Sequence, residues 1–124
     1  MAKWSKNTDK LPSEADVDKF QRLSPLINSI FVEMQEFSKK KPDEVISKLK
    51  VKMINRILTQ VKDFLASDPN VEFLELLDDE TLPTNSDTVL IVGQFRAILH
   101  QFESRFYHYD NKKHELRWFT KENP

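Results

Sequence analysis

Hydrophobic residues recur every three or four positions along most of this chain, which is the spacing of one face of an α-helix. The clearest stripe covers residues 45–65. Pro42 and the two acids that follow it favour a helix start just before the stripe, because acidic groups suit the positive end of the helix dipole. Residues 67–70 have the composition of a turn. The pattern therefore predicts a long helix, from about residue 42 to the turn.

Two shorter helices are predicted before this one. Ser13 followed by Asp16 matches a capping box, and apolar residues at helical spacing come next. Pro25 lacks the backbone N–H that a helix interior uses. We therefore expect a break or kink at Ser24–Pro25 and a fresh helix over about 25–40, closed by Lys39–Lys41, since cations suit the negative end of the helix dipole.

A short amphipathic stretch and a last long helix are predicted after the turn. Residues 71–77 have the pattern of one or two helical turns, and the acidic residues 78–85 read as a loop. Ser86 or Asp87 is the expected N-cap of the last helix, whose apolar stripe continues to Phe106.

The run 88–93 has two readings when taken alone. Its apolar residues before Gly93 fit a buried strand that ends in a turn. A helix is favoured because one stripe continues across Gly93 at steps of three and four residues. Since glycine weakens a helix, Gly93 is expected to allow the close approach of another helix.

The C-terminal stretch has a different character, because two aromatic segments flank the polar residues 110–113. This pattern predicts a short β-hairpin packed on the helices, the alternative being a helix to about residue 109 and an extended aromatic tail. The predicted fold class is all-α, an antiparallel bundle of about four helices. We divide the chain into a flexible lead (1–12), a helical domain (13–109) and a hairpin arm or tail (110–124).

Composition excludes several classes of protein. The 124 residues include one Gly and no Cys. Glycine-rich phosphate loops need several glycines, and disulfides, cysteine zinc sites and thiol nucleophiles need cysteine. The longest apolar run, residues 89–92, is far shorter than the roughly 20 residues of a membrane helix. The first residues also lack the apolar stretch of a signal peptide, so we expect a cytoplasmic protein with no membrane contact.

Charge is unevenly distributed between the two halves of the chain. Residues 1–62 carry 13 Lys and Arg against 8 Asp and Glu, whereas residues 63–124 carry 6 against 12. Lys48, Lys52 and Arg56 follow at four-residue steps, so a helix places them on one face. Such a stripe suits phosphates or an acidic partner. Nucleic acid is the less favoured of the two, because the stripe lacks aromatic residues for stacking and the overall pI is about 6.3.

An acidic cluster follows in the second half of the chain, comprising Glu72, Glu75, Asp78, Asp79 and Glu80. It lacks the ligand spacing and the glycine of a calcium loop. Carboxylates at an exposed, turn-rich position are typical of a solvated patch rather than of acid–base catalysis. One further hypothesis is that this cluster contacts the Lys48, Lys52 and Arg56 stripe of another subunit.

Few residues suggest chemistry. His108 and His114, with Asp110 and Glu115 nearby, form the only metal-like grouping, but their spacing matches no strong motif. We therefore predict no metal, no cofactor and no catalytic residue. The aromatic residues near the two ends are predicted either to cover the core or to form an interface, because tryptophan is enriched at binding hot spots; they are Trp4, Trp118 and Phe119.

These observations favour a small intracellular, non-catalytic interaction or accessory protein. We expect it to be a homodimer that also binds another protein through helix surfaces. The first alternative is a nucleic-acid-associated protein that contacts phosphates through Lys48, Lys52 and Arg56. The second is a helical hydrolase or nuclease that uses His108, His114 and nearby acids.

Overall fold

In the computed structural model, which describes residues 10–124, the chain forms three α-helices, one 3₁₀ turn and one β-hairpin. In order, the elements are α1 (Glu14–Lys40), α2 (Lys48–Phe64), the 3₁₀ turn (Pro69–Phe73), α3 (Asn85–Phe106), β1 (Tyr107–Asp110) and β2 (Glu115–Trp118). The mostly helical prediction is confirmed, and so is the short hairpin. The count of about four helices is not confirmed over these residues. Trp4 lies outside them.

The first helix runs through Pro25 without ending, so the predicted break is wrong. Pro25 lies on the exposed side, where water can bond the carbonyl that its missing N–H leaves free. Leu23 and Ile27 on either side are buried and pack as one continuous stripe. The N-terminus is as predicted: the Ser13 hydroxyl accepts from the N–H of Asp16, and the Asp16 carboxylate accepts from the N–H of Ser13, both at 3.1 Å.

The second helix begins at Lys48 rather than near Pro42, and Ser47 is its N-cap. Residues 42–46 are held instead by a distant part of the chain. The N–H of Ile46 donates to the carbonyl of Pro83 at 2.9 Å, and the N–H of Asn85 donates to the carbonyl of Glu44 at 2.8 Å. Ile46 is therefore buried in an extended segment that pairs with residues 83–85, and not on the face of a helix.

The third helix includes residues 88–93, so the helical reading of that run is confirmed. Its N-cap is Thr84, not Ser86 or Asp87. Asp87 acts as the reciprocal acid of the capping box, because its carboxylate accepts from the N–H of Thr84. Gly93 faces α1, and a Cβ built on it would lie 3.2 Å from Cε1 of Phe31. The predicted close crossing at Gly93 is therefore present.

Helix α1 runs antiparallel to both other helices. Near one end of α1, Lys19 donates to Gln60 of α2, and near the other end Phe37 lies under Lys50. Along α3, Arg96 donates to Asn28, whereas Phe102 stacks on Phe20. Helices α2 and α3 are consequently parallel to each other, and the chain between them must travel back along the molecule.

The core lies between the three helices and is closed at one end by the hairpin. The rings of Phe20 and Phe102 both lie within 6 Å of Trp118, at 5.3 and 5.9 Å between centroids. The most deeply buried large side chains are Phe95, Ile27, Leu58, Leu99, Val51, Val61 and Val92. Among residues 10–124, no helix combines the length and the apolar character needed to cross a membrane.

Candidate functional site

The predicted basic stripe forms on the outer face of α2. Lys48, Lys52 and Arg56 are all exposed on successive turns. The opposite face of the same helix is buried in the core through Val51, Ile54 and Leu58. Over residues 10–124, none of the three cations lies within 4.0 Å of a carboxylate. The stripe therefore presents three positive charges to the solvent.

Two large apolar side chains lie beside the stripe, one turn apart. Leu49 is 65% exposed and Met53 is 56% exposed. Leucine and methionine at this exposure leave apolar area in contact with water, an arrangement typical of binding surfaces when such residues cluster. We call Lys48, Leu49, Lys52, Met53 and Arg56 the α2 face.

The acidic cluster lies alongside this helix. Residues 74–77 are extended. Lys62 Nζ donates to the carbonyl of Leu74 at 2.9 Å, and Asn55, nearer the start of α2, is hydrogen-bonded to Leu77. The segment therefore runs in the direction opposite to α2. The Asn55 side-chain amide makes two hydrogen bonds, one through its nitrogen and one through its oxygen. It donates to the carbonyl of Leu77 and accepts from its N–H, each at 2.8 Å.

The chain continues beside the basic stripe after Leu77. Leu77 is hydrogen-bonded to Asn55 in the middle of α2, and Pro83 is hydrogen-bonded to Ile46 just before the helix begins. Residues 78–82 therefore pass along the first half of α2. Lys52 is a surface neighbour of Asn55 on the helix, at three residues' separation. We call residues 72–80 the acidic segment. The α2 face and the acidic segment are adjacent surfaces on one side of the molecule.

The turn at Asp78 fixes the direction of the acidic segment. Its carboxylate accepts from the backbone N–H groups of Glu80 at 2.8 Å and Thr81 at 3.0 Å. These two hydrogen bonds lower the pKa of Asp78 below its usual value, because they favour the ionised form. Asp78 therefore shapes the backbone, whereas Asp79 and Glu80 are exposed and free of such backbone hydrogen bonds over the part of the chain described.

The hairpin does not gather the predicted histidine grouping. His108 lies opposite Arg117 in the ladder, and its ring stacks on Phe119 with centroids 4.1 Å apart. His114 lies in the turn, with a positive φ of 55°. Within residues 10–124, no set of three His, Cys, Asp or Glu side chains is arranged to hold a metal ion.

The polar centre of the hairpin is a functional candidate that the residue pattern alone does not indicate. Nε of Arg117 lies 2.7 Å from Oδ2 of Asp110, and the two side chains are 10% and 9% exposed. The hydrogen bond from Arg117 is the largest cause that lowers the pKa of Asp110 to about 2. The two residues stand on the same face of the two-stranded ladder, so a predicted hairpin register was the one signal that could have paired them.

Arg117 also ties the C-terminal residues to the hairpin. Its guanidinium donates to three backbone carbonyls, those of Trp118, Asn123 and Pro124. It lies over the ring of Phe119 at 3.8 Å. Trp118 and Phe119 are thus both half-buried and packed within the chain, and the interface predicted for them stays a prediction.

One polar depression lies near the end of α3. Exposed polar side chains line it, from α3 and from the 3₁₀ turn: Asn70, His100, Gln101, Ser104 and Arg105. No hydrogen bond between Ser104 and His100 occurs in the region described. The guanidinium of Arg96, one turn before His100, is directed to α1, where it lies 4.7 Å over the ring of Phe31. This depression therefore offers polar contacts without a nucleophile–base pair.

Comparisons with known proteins give no match, whether with protein-family models, with curated proteins or with solved structures.

Proposed function

We propose that this protein is a non-catalytic interaction protein that binds a protein partner through the α2 face. The observation that supports this most strongly is the pair Leu49 and Met53, exposed beside three cations that make no ion pair within the described residues. An apolar centre with charges around it is the anatomy of a protein-binding patch. The apolar part supplies the free energy of association, and the charges orient the partner.

The start of α2 supports the proposal independently. Helices α1 and α3 have acidic residues in their first turns, as the helix dipole favours, whereas the first turn of α2 has none. It has Lys48 and Lys50 instead, and a cation at this end opposes the dipole. Residues that reduce stability in this way are typical of binding sites, where function outweighs local stability.

Nucleic acid is the weaker candidate. Three cations on successive turns favour it, because they can contact phosphates. The acidic segment argues against it, since residues 78–82 pass beside the stripe and their carboxylates repel a phosphate backbone. The α2 face also contains no aromatic side chain for stacking on bases.

Capture of partners from a lysate of the native host tests this proposal. Immobilised wild-type protein is compared with the double variant Leu49→Ser/Met53→Ser, with and without nuclease. Leu90→Ser is the matched control, because Leu90 is similarly exposed, at 64%, and belongs to α3 rather than α2. Circular dichroism verifies that each variant is folded.

We expect a protein partner that survives nuclease, is lost with the double variant and is retained by Leu90→Ser. Recovery that disappears with nuclease would support the nucleic-acid alternative. A partner that binds the double variant as well as the wild type would show that the α2 face is not the site.

A further inference from the structure

The acidic segment has the same design as the α2 face, with the opposite charge. Phe73 is 70% exposed and Leu76 is also exposed, and both lie among carboxylates. Over the described residues, the acids around them form no ion pair: Glu72, Glu75, Asp79 and Glu80. The chain therefore displays two apolar patches, one surrounded by cations and one by anions.

These two surfaces are side by side on the same side of the molecule. Asn55 holds Leu77 against α2, and Lys62 holds Leu74, so the acidic segment is fixed next to the α2 face. A twofold axis that runs between these two surfaces places the α2 face of each copy over the acidic segment of the other. Both contacts form at once, and the assembly is closed.

We infer that the partner of the α2 face is a second copy of this chain, whose acidic segment covers Leu49 and Met53. The inference rests on the proposed function, because it names the occupant of the same face. In the resulting dimer, Lys52 and Arg56 of one protomer face Asp79 and Glu80 of the other. Leu76, next to the residue that is hydrogen-bonded to Asn55, supplies the apolar side chain nearest Met53 of the other protomer.

Two further properties of the chain favour this pairing. The net charge is −1, so long-range repulsion between two copies is small. The acidic segment is also already ordered, since the side chains of Asn55, Lys62 and Asp78 bond its backbone. A preorganised surface loses little conformational entropy on binding.

Charge exchange between two variants tests the inference. The first variant is Lys52→Glu/Arg56→Glu, which makes the α2 face acidic. The second is Asp79→Lys/Glu80→Lys, which makes the acidic segment basic and leaves Asp78 in place. The full-length proteins are measured by sedimentation equilibrium, alone and in an equimolar mixture. Lys112→Glu/Lys113→Glu, in the exposed hairpin turn, is the matched charge-reversal control.

We expect the wild type and the control to be dimers. Each charge variant alone should associate on the order of tenfold more weakly or worse, because like charges then face each other twice. The mixture should regain the dimer, because both contacts are again between opposite charges. Leu49→Ser/Met53→Ser should be monomeric, which tests the same face without any charge reversal.

A monomeric wild type, a charge variant that stays dimeric, or a mixture that stays monomeric would each overturn the inference. In a different outcome, the wild type is monomeric and yet captures another protein that Leu49→Ser/Met53→Ser does not capture. In that case the proposed function stands and the partner is not a second copy. The two failures are thus separable.

Discussion

The side-chain amide of Asn55 pairs with the backbone of Leu77 as a neighbouring β-strand would, through one donated and one accepted hydrogen bond of 2.8 Å each. This pairing attaches the acidic segment to α2. Because the acidic segment begins before Leu77 and ends just after it, this pairing and the hydrogen bond from Lys62 to Leu74 together determine where its five carboxylates lie relative to the α2 face.

Asn55→Ala should therefore lower stability and release the acidic segment. Two backbone groups of Leu77 lose their partner, at a cost of about 1–3 kcal/mol in the free energy of unfolding. Urea denaturation measures the loss, and hydrogen exchange should show faster exchange of the Leu77 amide. Thr59→Ala, at an exposed position of the same helix, is the control. Since alanine favours a helix more than threonine does, this control should not lower stability, and it should leave the exchange of the Leu77 amide unchanged.

Lys48→Glu should make the protein more stable and a weaker binder. Lys48 is the first residue of α2, where a carboxylate suits the helix dipole and a cation opposes it. The expected gain is about 0.3–1 kcal/mol in the free energy of unfolding at low salt. The same change removes a cation from the α2 face and should weaken association in a parallel sedimentation experiment. A variant that loses stability would contradict the assignment of Lys48 as an interaction residue kept against local stability.

The Asp110–Arg117 pair should make the stability of the protein depend on acid pH. The pKa of Asp110 is lowered from 3.8 to about 2 in the folded chain, so the ionised carboxylate stabilises the fold above about pH 4. This stabilisation is lost as the pH falls through the interval from about 4 to about 2. Asp110→Asn should be less stable than the wild type at pH 7, and the difference should shrink towards pH 2. Urea midpoints at several pH values measure it, and a constant difference would exclude this origin.

Gly93 should tolerate one methyl group but not a large side chain. A Cβ there meets Phe31 at 3.2 Å, so Gly93→Ala gains helix propensity of about 1 kcal/mol and loses a similar amount through crowding. Gly93→Leu overfills the crossing and should cost about 1–3 kcal/mol. Thermal denaturation of both variants checks the order. A Gly93→Leu protein as stable as the wild type would mean that the two helices do not approach closely here.

Local patterns predicted what depends on neighbours in sequence. The stripe through Gly93 gave the correct helix, and Ser13 with Asp16 gave the correct cap, because both are decided within one or two turns. The break predicted at Pro25 is wrong because the rule for proline is local, whereas the buried stripe that includes Leu23 and Ile27 continues along the helix.

Long-range contacts explain the remaining errors. Ile46 has the spacing of the α2 stripe, yet its backbone bonds Pro83, which no periodicity reveals. The stripe of Lys48, Lys52 and Arg56 was predictable, because it needs only the helix. The position of the stripe beside the acidic segment could not be predicted, because it depends on the long-range hydrogen bonds of Asn55 and Lys62.

Photo-crosslinking from the α2 face in cells of the native host shows directly whether a second copy of this chain binds there. Met53 is replaced with p-benzoylphenylalanine, and the same replacement at Leu90 is the control, since both residues are exposed and apolar on helices. We expect a protein adduct from position 53, identified by mass spectrometry as a second copy of this chain crosslinked at residues 72–80, and none from position 90. Equal adducts from both positions, or none from position 53, would contradict this expectation.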